Sequence, residues 1–340
     1  THRRGNLLEI EAIGHRRRWR GKGEWQQTWH GRPPVRRSPD HQAPAPGAAW
    51  KDGPLREPSG QLIPLRSPQD ALTPTAVALG SFDGLHQGHQ RVIASIAAAP
   101  TPGLVPTVVS FWPHPRELLH GEPRLRLDLP NDKLSLLEPF GIRQLVLVPF
   151  TRELSCLTPQ EFVERVLVGA LQCREVAVGE NFRFGVNRCG DATALAAIGA
   201  LHGLKVSVLP MLWDGSERVS SSRIRRALAA GCIAEAGRLL ERPYRFCGTV
   251  VRGRRLGRTL GWPTANLEVD GRKFLPQEGV YAALAWAHGS GPMAAVMNLG
   301  PQPTVDPLAP SAVEVHLLDR QIELEGRELE VQPLALLRCQ

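Results

Sequence analysis

Gly80-Ser-Phe-Asp-Gly-Leu-His-Gln-Gly-His89 lies between two stretches of different texture. Ahead of it, Thr75-Ala-Val-Ala-Leu79 is a short apolar run of strand type, and behind it Gln90–Ala99 repeats apolar residues at helical spacing. The ten residues therefore read as a strand-to-helix turn, with His86 and His89 at the start of the helix. Unpaired N–H groups and the positive end of the helix dipole favour anions there, phosphate above all. Gly80, Gly84 and Gly88 let the backbone turn sharply and approach a ligand closely. Two imidazoles at that point can donate hydrogen bonds to a triphosphate. A pair of histidines also suits a polar cap or a metal, but no His-Glu-x-x-His or Cys-x-x-Cys stands nearby to complete a metal site.

From Ala71 to about Gly231, strand-like runs alternate with helical ones. Thr107–Phe111, Gln144–Phe150, Glu175–Gly179 and Lys205–Leu209 read as strands. Pro159–Val168 reads as a helix, opened by Thr158 with Glu161 three residues on, a capping box. Such alternation implies a doubly wound α/β domain: a parallel sheet with helices on both faces and ligands beyond the carboxyl ends of its strands. Ile224–Leu240, broken at Gly231, reads as a joining helix. After Pro243, the stretches Tyr244–Arg252, Gly279–Trp286, Ala294–Asn298, Ala312–Leu318 and Glu328–Gln332 read as short strands with Gly and Pro turns between them. Strands without intervening helices suggest a small antiparallel β-barrel. The expected division is an extension over 1–70, a first domain over 71–232, a joining helix over 233–242 and a barrel over 243–340.

Further motifs fall in these frames. Arg218-Val-Ser-Ser-Ser-Arg-Ile-Arg225 puts hydroxyls and guanidiniums at a helix start, which suits a polyphosphate, although a serine cap with surface arginines reads the same. Ser110-Phe-Trp-Pro-His-Pro115 and Gly179-Glu-Asn-Phe-Arg-Phe-Gly185 each read as a strand followed by a turn. In the second domain, Gly253, Gly257 and Gly261 recur at four-residue spacing and lead into Trp262-Pro-Thr-Ala-Asn-Leu267. Thr264 and Asn266 are hard oxygen donors of the sort Mg²⁺ accepts beside substrate phosphates. In an alternating strand, Val313 and Val315 would point inward and Glu314 outward.

The first motif resembles the signature of the HxGH nucleotidylyltransferase superfamily, in the Gly-x-Phe-Asp-Gly-x-His-x-Gly-His form of prokaryotic FAD synthetases. Ser220-Ser-Ser-x-Ile-Arg225 is similar to that family's Ser-Ser-Thr-x-Ile-Arg segment, with Ser222 in place of Thr. The Pro-His-Pro and Asn-Phe-x-Phe-Gly stretches match the family as well. Gly257-Arg-Thr-Leu-Gly-Trp-Pro-Thr-Ala-Asn266, Asn298-Leu-Gly-Pro-Gln-Pro-Thr304 and Glu314-Val-His316 resemble riboflavin kinase motifs. The resemblance covers about 71–338. It implies a nucleotidyltransferase domain followed by a riboflavin kinase barrel, making FMN and then FAD from riboflavin with ATP and Mg²⁺.

By the same resemblance, His86, His89, Ser221 and Arg225 would act in adenylylation. Gly80, Phe82, Asp83, Gly84, Gly88, His114, Asn181 and Arg218 would bind ATP or flavin there. Gly257, Arg258 and Gly261 would do so in the kinase, where Glu314 would be the general base and Thr264 and Asn266 the metal ligands. Gln302 departs from the usual Arg or Asn. The chain stops at Leu337-Arg338-Cys339-Gln340, so the kinase is expected to lack part of its flavin-side wall. Two alternatives stand beside this reading: an FMN adenylyltransferase whose C-terminal domain only binds flavin, and a nucleic-acid-binding protein acting through its tail.

Composition bounds the classes. The 340 residues suffice for two domains, and the formal charge is +8. Residues 1–56 hold 12 Lys and Arg against 5 Asp and Glu, so +7 of that charge belongs to the start and only +1 to the other 284 residues. A nucleic-acid partner is thereby confined to the tail, which is rich in Arg, Pro and Trp and is expected to be disordered. The chain begins at Thr1 rather than Met, consistent with a fragment or a processed product. No run of 18 apolar residues occurs, and the six scattered cysteines suit a reducing cytoplasm. Small-molecule substrates are the expected partners, with a homo-oligomer left open.

Overall fold

Short β-branched and alanine-rich runs form the first sheet, because strands covered on both faces need no polar alternation. The computed structural model describes residues 63–98, 101–121, 126–252, 264–287, 289–300, 312–318 and 322–339. Its first elements are β1 (Leu65–Arg66), β2 (Thr75–Leu79), α1 (Gln87–Ala97), β3 (Val105–Trp112), α2 (Pro115–His120), α3 (Pro130–Leu137) and β4 (Gln144–Pro149). There follow α4 (Arg152–Ser155), α5 (Pro159–Phe162), β5 (Cys173–Gly179), the hairpin of β6 (Arg183–Phe184) and β7 (Gly190–Asp191), α6 (Ala192–Leu201) and β8 (Lys205–Leu209). The sheet runs β1-β4-β3-β2-β5-β8, and all its pairs are parallel. β2 is buried along its whole length. The order reverses between β2 and β5, so the turn after β2 opens at the switch point where such sheets bind ligands.

Two details differ from the sequence reading. The sheet begins ahead of Ala71: Ile63 is buried in the core and β1 pairs with β4, a strand too short to leave a periodic signal. The helix expected over Pro159–Val168 keeps its capping box, with Glu161 N–H donating to Thr158 Oγ1 (3.2 Å) and Thr158 N–H to Glu161 Oε2 (2.9 Å). It then widens into π-type turns over Val163–Ala170, where Leu171 N–H bonds the carbonyl of Val166 (3.1 Å). The rest of the 1–70 extension lies outside the described residues.

The hairpin of β9 (Trp213–Asp214) and β10 (Glu217–Arg218) leads into α7 (Ser221–Ala229) and α8 (Ile233–Leu240). Gly231, at φ +70°, separates the two helices. The second sheet comprises β11 (Phe246–Val251), β12 (Ala265–Glu268), β13 (Gly279–Ala287), β14 (Met293–Gly300), β15 (Ala312–Leu317) and β16 (Glu328–Cys339). It closes as an antiparallel barrel in the order β11-β12-β15-β14-β13-β16, with β16 pairing back to β11. β16 runs to Cys339, past the expected end at Gln332, because irregularities in its register with β13 accommodate Pro333 inside the strand. Leu267, Met297, Leu299, Val313 and Val315 fill the interior, together with Tyr281 and Val331.

Candidate active sites

Gly80–His89 folds into a strained turn. Phe82 and Leu85 take positive φ (44° and 40°), as Gly84 does (89°). The carbonyl of Ser81 accepts from Ser110 Oγ (3.0 Å) and from Lys133 Nζ (2.8 Å). His86 is the N-cap of α1 and its ring stacks on His89, with centroids 3.7 Å apart. Gly88 makes that stack possible: a Cβ there would lie 3.2 Å from His86 Cε1. Nδ1 of each histidine is buried without a hydrogen-bond partner among the described residues. Burial pushes His86 down to about 4, while burial and then the His86 charge hold His89 well below the usual histidine range. Both rings are therefore neutral at pH 7, each with one N–H to give a ligand.

The second motif is brought to the first. Ser220 caps α7, its Oγ accepting from Arg223 N–H (3.2 Å), and Ser221 Oγ donates to the carbonyl of Asp83 (2.7 Å). Arg225 pairs with the Asp83 carboxylate. The other carboxylate oxygen of Asp83 accepts from the backbone N–H of Leu127 (2.9 Å) and Asp128 (3.3 Å). Burial pulls the Asp83 pKa up, but Arg126, Arg225 and Lys133 more than offset it and hold it below its ordinary value. Asp83 is thus 2 % exposed and engaged on both oxygens, tying three segments together. Phe82, equally buried, packs edge-on against His89.

Arg218, half-buried on β10, is close enough for its charge to lower the pKa of His86. His114 caps α2, its Nδ1 accepting from Arg116 N–H (3.1 Å); burial and then Arg126 push it down to about 3. Asn181 is exposed on the turn after β5, beyond the carboxyl end of the strand beside β2.

On the barrel, Glu314 of β15 stands opposite Asn266 of β12 on one side and opposite Asn298 of β14 on the other. Three side chains from three strands therefore share one face. As expected, Val313 and Val315 are buried and Glu314 is half-buried on the other face. Thr264 is exposed just ahead of β12. Gly257, Arg258, Gly261 and Gln302 lie outside the described residues.

Known proteins give the arrangement its family. The FAD synthetase model matches residues 69–223 and the riboflavin kinase model matches 240–340. The bifunctional riboflavin kinase/FMN adenylyltransferase of Escherichia coli K12 is 36% identical over 268 residues, spanning 78% of this chain and 84% of that one. The chain belongs to the bifunctional riboflavin kinase/FMN adenylyltransferase family. The Pseudomonas fluorescens member is 37% identical over 255 residues, covering 74% of this chain and 81% of its own. The fold is also that of a crystal structure described as a macrolide-efflux protein from Streptococcus pneumoniae. That structure is 29% identical, with a TM-score of 0.71, and the likeness covers 81% of this chain and 90% of that one. Among the described residues no helix is long and apolar enough to cross a membrane. None of these comparisons supports a nucleic-acid-binding role.

Sequence reading missed Arg126 and Lys133, which lie against the first site, and did not see Asp83 as a tie between segments. Lys133 had one readable signal: it occupies a core-facing position of α3, buried in the same stripe as Leu136 and Leu137.

Proposed function

We propose that Gly80–His89 and Arg218–Arg225 together hold ATP for adenylylation, and that the face shared by Asn266, Glu314 and Asn298 works on riboflavin. The chain phosphorylates riboflavin to FMN and then adenylylates FMN to FAD. Support for the residue assignment comes above all from one contact, Ser221 Oγ to the carbonyl of Asp83, which joins motifs 138 residues apart at one helix start.

In adenylylation, an oxygen of the FMN phosphate attacks the α-phosphorus of ATP in line, and pyrophosphate leaves. No side-chain nucleophile is needed, since positioning and electrostatic stabilisation suffice. The start of α1 and the N–H groups of neutral His86 and His89 donate to the phosphates, while Arg218 and Arg225 supply positive charge. Gly80, Gly84 and Gly88 shape the turn, and His114 and Asn181 face the substrates from neighbouring strand ends.

In the kinase, Glu314 takes the proton of the ribityl 5′-hydroxyl as that oxygen attacks the γ-phosphate of a first ATP. The donors beside Glu314 are a hydroxyl and an amide oxygen. They suit a magnesium ion that keeps most of its ligands as phosphate and water oxygens. Among the described residues no group of three His, Cys, Asp or Glu offers an all-protein cage. Thr264 and Asn266 would hold that ion, which when bound neutralises charge on the phosphates. Gly257, Arg258 and Gly261 would cover the nucleotide. We place the protein in the cytoplasm, where its six free cysteines stay reduced, and divide it at 71–232, 233–242 and 243–340.

A flavin time course tests the reading. With ATP and Mg²⁺, riboflavin should pass through FMN to FAD, and FMN supplied directly should also give FAD. FAD from FMN alone would remove the kinase assignment, and no product from either flavin would remove both.

A further inference from the structure

Two buried cations beside the adenylylation turn have no part in the reading above. The side chain of Arg126 is 1 % exposed, and its Nε and Nη1 have no hydrogen-bond partner among the described residues. The Glu117 carboxylate lies 3.9 Å from its Nε, beyond hydrogen-bond reach. Its guanidinium lies over the Trp112 ring, 5.1 Å from the centroid. Lys133 is also 1 % exposed, and among the described residues its ammonium uses one of three donors, on the Ser81 carbonyl (2.8 Å).

Neither side chain is hydrogen-bonded to a carboxylate among the described residues. Both act on Asp83, but its carboxylate already serves Arg225 and two backbone N–H groups. Asp128 pairs with Arg242 (2.8 Å) and Asp132 with Lys273 (2.8 Å). The charges of Arg126 and Lys133 also bear on His114, and that of Lys133 on His89, so the two cations lie within electrostatic range of the reacting end of the site. Buried charge left without a partner is costly, and a phosphate dianion is the ligand class that would complete it.

The ATP phosphates already have the start of α1, Ser221, Arg218 and Arg225. The acceptor brings a phosphate of its own. We propose that Arg126 and Lys133 form the acceptor-phosphate subsite, holding the FMN phosphate beside the α-phosphorus of ATP and rejecting riboflavin, which has no charge to offer them. This rests on the adenylylation reading given above. In the step, a bond forms from an FMN phosphate oxygen to the α-phosphorus. The bond from that phosphorus to the bridging oxygen breaks, and its electron pair leaves with pyrophosphate. The attacking phosphate is already ionised at pH 7, so no proton has to be removed. Burial and then Arg126 push Lys133 down to about 7, against the opposite pull of Asp83, Asp128 and Asp132, and a bound dianion would draw it back up.

The test is steady-state FAD formation by the full chain, with FMN and ATP varied separately, in wild type, Arg126→Gln and Lys133→Met. Riboflavin phosphorylation by the same preparations reports that they are folded. Each neutral variant should raise KM for FMN about ten-fold or more, the value of one charge-assisted contact, and leave KM for ATP within about two-fold. Arg126→Lys should restore most of the loss. An unchanged KM for FMN, or equal rises for FMN and ATP, would overturn the proposal. Should the neutral variants fail to fold, the wild type still decides: KM for FMN should climb as pH rises through about 7 while KM for ATP stays level, and parallel profiles would contradict the assignment. Wild-type protein that makes no FAD from FMN would remove the adenylylation reading itself. FAD from wild type with variants indistinguishable from it would remove this inference alone.

Discussion

His86, His89 and His114 are kept neutral by burial, and that has a cost in acid. His86 titrates at about 4 and His114 at about 3 in the folded protein, against 6.5 when exposed, and His89 shifts the same way. Between about pH 6.5 and 4 the unfolded chain therefore binds protons that the folded chain does not, so stability falls as pH drops through that window. The thermal midpoint of the nucleotide-free protein should decrease from pH 7 to pH 5, with a shallower slope in His86→Gln. Equal slopes in the two proteins would show that His86 is not held neutral. The turn is legible because three glycines between a strand-like run and a helical one mark a sharp strand-to-helix turn. The tie made by Asp83 was not legible, since its partners Leu127 N–H, Asp128 N–H, Ser221 and Arg225 are set by folding and not by spacing.

At the scale of elements, the Gly80–His89 turn is a narrow fit. Gly84 sits at φ +89°, and a Cβ there would fall 2.8 Å from Leu127 Cδ1. Gly84→Ala should destabilise the fold by about 1–3 kcal/mol, through both backbone strain and overpacking. Urea unfolding would measure this, and a variant as stable as wild type would mean that the turn can relax. β2 and β8 were read with the bounds the structure gives, because β-branched runs ended by turn residues have one interpretation. β12 carries no separate strand signal, since most of its residues belong to the Gly257–Leu267 motif. β16 was read short because proline usually ends a strand, and only its pairing with β13 shows how Pro333 is absorbed.

For the molecule as a whole, the segment carrying Arg126 and Lys133 is shared by the two domains. Arg126 N–H donates to the carbonyl of Arg272 (2.9 Å), and Phe274 N–H to the carbonyl of Arg126 (2.7 Å). Lys273 Nζ donates to the carbonyl of Leu127 (2.7 Å). One wall of the proposed adenylylation site is therefore braced by the barrel domain, across 146 residues of sequence where no local pattern could announce it. In the proposed assignment the two chemistries nonetheless stand on different elements, one at the strand ends of an α/β sheet and the other on the outer face of a barrel. The most direct test of that separation is product analysis by chromatography in His89→Ala and Glu314→Gln, starting from riboflavin with ATP and Mg²⁺ and again from FMN. His89→Ala should stop at FMN, and Glu314→Gln should make FAD only from supplied FMN. Loss of both products by either variant, in protein that remains folded, would contradict two independent sites.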